Sequence, residues 1–269
     1  MVPSWAAGSR VSLLFHPYPD SRHMRSRIPN FVWILCLANP PLHADWRDEI
    51  GFTRLQLLAA AELPAAPSQG LTHTEAPIDS NYAPDTASAA FSGKSFALKS
   101  GATGTSWHAT SVATNFYGST SLIPGATPVD VYEADHWIGS GFLNLETSNP
   151  PGYETRAVQN HSWIGSLPTE AEATEANLRL DFAINRDGFV CVVGENNGNS
   201  TTLPQLLGQG YHTISVGLTN GAHSAGFTTF DLPGRIKPDI VAPDGLTSFA
   251  SPMVASTAEV ARGRPTNRV

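Results

Sequence analysis

The stretch RAVQNHSWIGSLPTEAEATEANLRLDFAINRDGFVCVVG, residues 156–194, carries the pattern that decides the fold. Its first part, 156–163, reads as a strand, and so does GFVCVVG at 188–194. Between them residues 168–187 read as a helix. Thr169 can cap it, Glu170 and Glu172 suit its positive end, and Leu178, Phe182 and Ile184 supply part of an apolar face. Strand, helix, strand at these lengths predicts parallel strands joined by a crossover helix.

The same alternation continues outward. PVDVYEA (128–134) and HTISVGL (212–218) are further strand candidates, and GLTHTEA (70–76) has the look of a strand ending at Glu75. Helices are expected from about His108 to Phe116 and from near Ser248, where Pro252 would fall in a first turn that tolerates it. The predicted fold class is α/β: a doubly wound, mostly parallel sheet flanked by helices. In such sheets function collects at the carboxyl ends of the strands.

Bulk composition narrows the function. The chain has 269 residues, 41% of them hydrophobic and only 14% charged, with 23 glycines and 21 prolines. That suits one sizeable, loop-rich domain of secreted type. A net charge of -7 without a basic run argues against a nucleic-acid partner. Of the two cysteines, Cys191 lies in an apolar run and reads as an inert core thiol, while Cys36 falls in a segment expected to be removed.

That segment is the leader, residues 1–44. Arg22, Arg25 and Arg27 precede the apolar run IPNFVWILCLA (28–38), and a small residue, Ala44, follows before Asp45. This is the pattern of a secretory signal peptide, with Met24 as an alternative start. The run is short for a membrane span, so no stable membrane association is expected. A buried N-terminal helix or a short anchor is the competing reading. The pattern implies a secreted or periplasmic protein. Residues 45–69 read as a linker or pro-segment remnant, and 70–269 as the functional domain.

Three segments bring chemistry to strand ends and helix starts. SWHATSVATNFYG (106–118) places His108 at a helix start, VCVVGENNGN (190–199) places Asn196 after a buried strand, and GLTSFASPMVA (245–255) places Ser248 at another helix start. Serine is a weak nucleophile until a base takes its proton, and histidine is the usual base. A side-chain amide can donate to the oxyanion of a tetrahedral intermediate. A hydroxyl heading a run of small residues is also a common way to start any buried helix.

These segments resemble the subtilisin-like serine proteases, the subtilases. HATSVAT is similar to the family's H-G-T-x-V-A-G, and LTSFASPMVAS to G-T-S-x-A-[ST]-P-x-V-A-G. VQNHSW resembles V-x-N-x-S, VVGENNG resembles A-A-G-N-x-G, and GRIKPDIVAP resembles the segment preceding the family's serine. The motifs stand in family order over about residues 67–260. The resemblance implies a serine endopeptidase acting on protein or peptide substrates, with Ser248 as nucleophile, His108 as base and Asn196 as oxyanion donor. It also implies that Ser162, Trp163 and Ile164 pair with substrate backbone.

The triad acid departs from the family. No D-[ST]-G turn precedes His108. Glu75 stands 33 positions before the histidine, about where the family's aspartate belongs, and Asp79 is the alternative. The related sedolisins use glutamate, and a carboxylate of either length can hold the second imidazole N–H. Leu246 and Glu195 replace family glycines, which predicts strain or crowding at the site. The chain ends soon after the serine helix, in ARGRPTNRV, so a shortened fold is expected.

The remaining signals are weaker. His73-Thr74-Glu75 has the H-x-E order of zinc deaminases without their cysteine pair. His136, His161, His212 and His223 have no metal-ligand spacing and read as surface or satisfied loop histidines. Neither a metal nor a cofactor is expected. Calcium is common in the family, but no carboxylate loop marks it here. The departures leave a second function class open: an inactive subtilase-like module that binds peptides along its edge strand.

Overall fold

A computed structural model describes residues 45–63, 69–198, 206–224 and 236–263. The leader, with its signal-peptide run, Met24 and Cys36, lies outside the described residues, as does the end of the chain beyond Gly263. In chain order the strands are β1 (Leu71–Glu75), β2 (Phe96–Leu98), β3 (Val129–Glu133), β4 (Val158–His161), β5 (Val190–Gly194), β6 (Asn196–Asn197), β7 (Thr213–Leu218), β8 (His223–Ser224) and β9 (Ile240–Ala242). The α-helices are α1 (Trp46–Glu49), α2 (Phe52–Ala59), α3 (Trp107–Phe116), α4 (Ala134–His136), α5 (Glu170–Asp187) and α6 (Thr247–Arg262).

Seven strands form one sheet in the order β2-β3-β1-β4-β5-β7-β9, and every pair in it is parallel. The doubly wound α/β class expected from the sequence is the class observed. Strand order reverses around β1: the chain adds β3 on one side of it, then crosses over to add β4 on the other. Loops leaving the two sides of such a reversal diverge and open a crevice at the carboxyl ends of the strands.

Period-two alternation sends neighbouring side chains to opposite faces. On one face Leu71, Val129, Val131, Val158, Val192 and Val216 pack with Phe116, Tyr117, Ala250 and Ala255 of α3 and α6 and the residues around them. On the other, Tyr132, Cys191 and Val193 pack with Trp137, Trp163, Ala176, Leu180 and Ala183. Cys191 is a free, buried thiol, which burial holds well above the ordinary cysteine value.

Thr169 caps α5 through a full capping box, its hydroxyl accepting from the Glu172 N–H while the Glu172 carboxylate accepts from the Thr169 N–H. The apolar face of α5 differs from the expected one. Ile184 is buried, but Leu178 and Phe182 are 54% and 53% exposed. The helix turns Ala176, Leu180, Ala183 and Ile184 inward, together with Asp181, whose carboxylate accepts from the N–H groups of Tyr211 and His212. Satisfying those loop amides fixes the helix rotation and leaves the Leu178–Phe182 side to solvent. Residues 45–63, expected to be a linker or pro-segment remnant, hold α1 and α2 and belong to the same compact unit as the sheet.

His161 also departs from the expected surface or loop position. It is fully buried on β4, edge-on to Trp137 and Trp163, and burial pushes its imidazole down to about 3. Asn160, part of a glycosylation-like sequon, is fully buried as well.

Candidate active site

Strand β1 delivers the acid. Glu75 is its last residue and is buried at the crevice. Helix α3 runs back across the face of the sheet that carries Leu71, His73 and Glu75, and Ser106 caps it by accepting from the Ala109 N–H. The helix start therefore sets His108 beside the strand end. Glu75 Oε2 accepts from His108 Nδ1 at 2.7 Å. Burial works to lower the His108 imidazole, but the hydrogen bond and charge of Glu75 outweigh it, and the net shift is upward. Asp79 is exposed in the turn between Ile78 and Asn81 and makes no bond to His108.

Helix α6 brings the hydroxyl. The Phe249 ring lies 5.7 Å from that of His108, and Asn115 of α3 donates to the Phe249 carbonyl, tying the two helix segments together. Ser248, one residue before, lines the same cleft as Glu75 and His108. No hydrogen bond joins Ser248 to His108 among the described residues. In unliganded sites such bonds are often long and tighten with substrate.

The start of α6 is held by the loop after β5. Thr247 N–H and its hydroxyl both donate to Asn197 Oδ1, at 2.9 and 3.1 Å. Because the Thr247 N–H can only donate, the Asn197 amide oxygen is fixed toward it, and the NH2 group is left to face elsewhere. Phe249 and Ala250 N–H groups reach the Leu246 carbonyl, whereas the Ser248 N–H meets no acceptor among the described residues. An open backbone donor at a helix start, beside a lined cleft, can receive an anionic oxygen. Pro252 falls in the second turn of α6, not the first, because the helix begins at Thr247; the Ser248 carbonyl therefore lacks its usual helical N–H partner.

Neither lost glycine strains the site. Leu246 has φ -137° and ψ 139°, an extended conformation open to any residue, and Glu195 has no positive φ. The glycines that matter are neighbours. A Cβ on Gly194 would come within 3.3 Å of the Thr247 carbonyl, and Gly198 has φ 85°. Glu195 is itself buried, and burial pushes its carboxyl up to about 7.

The cleft has a volume of about 250 Å³. Ser162, Trp163 and Ile164 form one wall, and Ala76 and Ile78 add apolar surface. The β4–β5 ladder ends at His161 opposite Val193, so the backbone of Ser162–Ile164 leaves the sheet as it enters the cleft. Ser162 Oγ is bonded to Asn160 and to Ser251 of α6, which anchors this wall to the serine helix.

No known family model matches the chain, and no curated protein sequence matches it. Among solved structures, it is similar to the epidermin leader peptide processing serine protease (EpiP) from Staphylococcus aureus. Identity is 12% and the TM-score 0.54, over 81% of this chain and 69% of that one. The fold is shared with a serine protease. A mutant structure of the same Staphylococcus aureus enzyme aligns at 10% identity and a TM-score of 0.55, over 90% of this chain and 74% of that one. At such identities the likeness speaks for the fold alone.

The structure thus brings Glu75, His108, Ser248, Ser162, Trp163 and Ile164 to one cleft. It sets Asn197 there and not Asn196, which pairs with Ser224 across β6 and β8. Asn196 is the donor expected from the motif, but on an extended segment adjacent residues face opposite ways, and its neighbour Asn197 takes the cleft side. His73 adjoins Glu75, and Tyr117 adjoins His73. Their signal was parity: His73 and Glu75 lie two apart on one strand and so share a face. Among the described residues no cluster of three or more metal-ligating side chains occurs, and no helix is long and apolar enough to cross a membrane.

Proposed function

We propose that this chain is a serine-type endopeptidase of subtilisin-like kind that hydrolyses peptide bonds in protein or peptide substrates. The observation that carries it is the 2.7 Å contact between Glu75 and His108 in the cleft that Ser248 lines. Glu75 holds the Nδ1–H tautomer, which leaves Nε2 as the base. Ser248 Oγ attacks the scissile carbonyl while His108 takes its proton. The Ser248 N–H and the Asn197 NH2 group receive the oxyanion. His108 then protonates the leaving amine, and water hydrolyses the acyl-enzyme by the same steps. The backbone of Ser162–Ile164 aligns the substrate strand, and Trp163 and Ile164 favour an apolar side chain beside the cut. The leader pattern supports a secreted or periplasmic setting for the enzyme.

Labelling with a fluorophosphonate probe tests this assignment. The folded wild type should react, and Ser248→Ala and His108→Ala should not. Labelling that survives Ser248→Ala would remove the serine from its role. A folded wild type that never labels would leave the cleft as a peptide-binding groove.

A further inference from the structure

Glu75 has two carboxylate oxygens, and only one meets His108. The other, Oε1, lies 3.0 Å from Nε2 of His73, which is also fully buried. His73 Nδ1 in turn lies 2.9 Å from the Tyr117 hydroxyl. The two pairs arise from one packing arrangement. His73 and Glu75 point the same way from β1, and α3 runs antiparallel to the strand, so its first turn meets Glu75 and Tyr117, the residue capping its C-terminus, meets His73.

We infer that His73, locked by Tyr117, is a positioning residue for the Glu75–His108 pair: it occupies Oε1 so that Oε2 is presented to His108, and it shares the carboxylate charge that His108 feels. This inference rests on the endopeptidase reading above for its effect on turnover. Its effect on His108 stands without that reading.

Hydrogen-bond accounting assigns the protons. Tyr117 is wholly buried, and its hydroxyl has His73 Nδ1 as its one acceptor among the described residues. Burial and the charge of Glu75 hold that phenol well above its ordinary value, so it stays an O–H. It therefore donates to Nδ1, which makes Nε2 the protonated nitrogen of His73 and a donor to Glu75. A second proton on His73 would strand the Tyr117 O–H in the core without an acceptor. The result is a one-way chain, Tyr117 to His73 to Glu75, with His108 donating to the same carboxylate from the other side.

Other charged and titratable groups around the chain have separate partners or positions. On β3, Glu133 is in register with Glu75 but accepts from the N–H groups of Asp135 and His136. On β4, Asn160 neighbours His73, and His161 neighbours Thr74 on the opposite face. Lys94 sits over the Tyr117 ring, 5.6 Å from its centroid, and donates to the carbonyls of Pro124 and Ala126. Glu195 lines the cleft near Ser248. The titratable residues of α6 are Glu259 and Arg262, both in its last turn.

The experiment is a histidine NMR titration of His108 in the full chain, with rates of probe labelling measured alongside. His73→Leu strips the donor from Oε1, leaving more carboxylate charge for His108, so its titration should move upward by about 0.5–1 pH unit. Labelling should slow by about tenfold. His73→Gln can place an amide N–H at Oε1 and should restore most of both. Tyr117→Phe frees the His73 tautomer and should give a smaller effect in the same direction. If His73→Leu is folded and titrates like the wild type, or if both His73→Gln and Tyr117→Phe leave His108 and the rate unmoved, the inference is wrong. If the wild type never labels but His108 still shifts in these variants, the coupling holds and only the endopeptidase reading fails.

Discussion

Glu75 and His108 are 33 residues apart in the chain, yet their side chains meet at 2.7 Å, with the carboxylate almost wholly withdrawn from water and the imidazole partly open to the cleft. A strand end fixes one and a capped helix start fixes the other. The glutamate's extra methylene is accommodated because β1 ends at this residue and its side chain reaches across to the first turn of α3.

Replacing the acid by its amide tests what that contact does. In Glu75→Gln the shape is kept, but the partner that holds the Nδ1–H tautomer is lost. Turnover of a peptide substrate should fall by on the order of 10⁴. Asp79→Asn, altered at an exposed turn, should stay within about twofold of wild type, as surface changes away from a site usually do. A steady-state comparison of the two variants decides between the carboxylates, and equal losses would refute the assignment to Glu75.

The two adjacent asparagines separate in the same way. Both pair with β8, but Asn197 is anchored by Thr247 and lines the cleft, whereas Asn196 does not line it. Removing one oxyanion donor costs a serine protease about 10² to 10³ in kcat with little change in KM. Asn197→Ala should show that loss, and Asn196→Ala should lose less than about tenfold. The reverse order of kcat values would return the donor role to Asn196.

The pH profile follows from the upward shift of His108. Its neutral imidazole is the base, so kcat/KM should fall as pH drops, with a midpoint above the ordinary histidine value of 6.5. Stability runs the other way. The charged imidazole paired with Glu75 contributes stability that is fully present below 6.5 and is lost as pH rises through the shifted value. Glu195, whose carboxyl titrates near 7 beside the cleft, adds negative charge over the same range. Recording the profile in Glu195→Gln separates the two groups: a limb that persists belongs to His108, and one that vanishes belongs to Glu195.

Residue patterning carries the α/β class and the places of α3, α5 and α6, and the motif resemblance narrows the acid for His108 to Glu75 or Asp79, which the 2.7 Å contact of Glu75 then separates. The class, the helix places and the two candidate acids follow from local periodicity, capping residues and motif spacing, all properties of short segments. The remaining features depend on rotation and parity. Leu178 and Phe182 face water because Asp181 must satisfy two loop amides, a demand that no hydrophobic pattern along α5 contains. Asn197 and not Asn196 reaches the cleft because alternate residues of an extended segment point opposite ways, and which way is set by pairing with β8. His161 is sealed between two tryptophans, one of them brought in from the segment after α4. Tyr117 meets His73 only because α3 folds back antiparallel over β1, which places residues 44 apart in the chain within one hydrogen bond of each other. Side-chain type and spacing write the elements; the direction in which each element is turned is fixed by the partners it must satisfy.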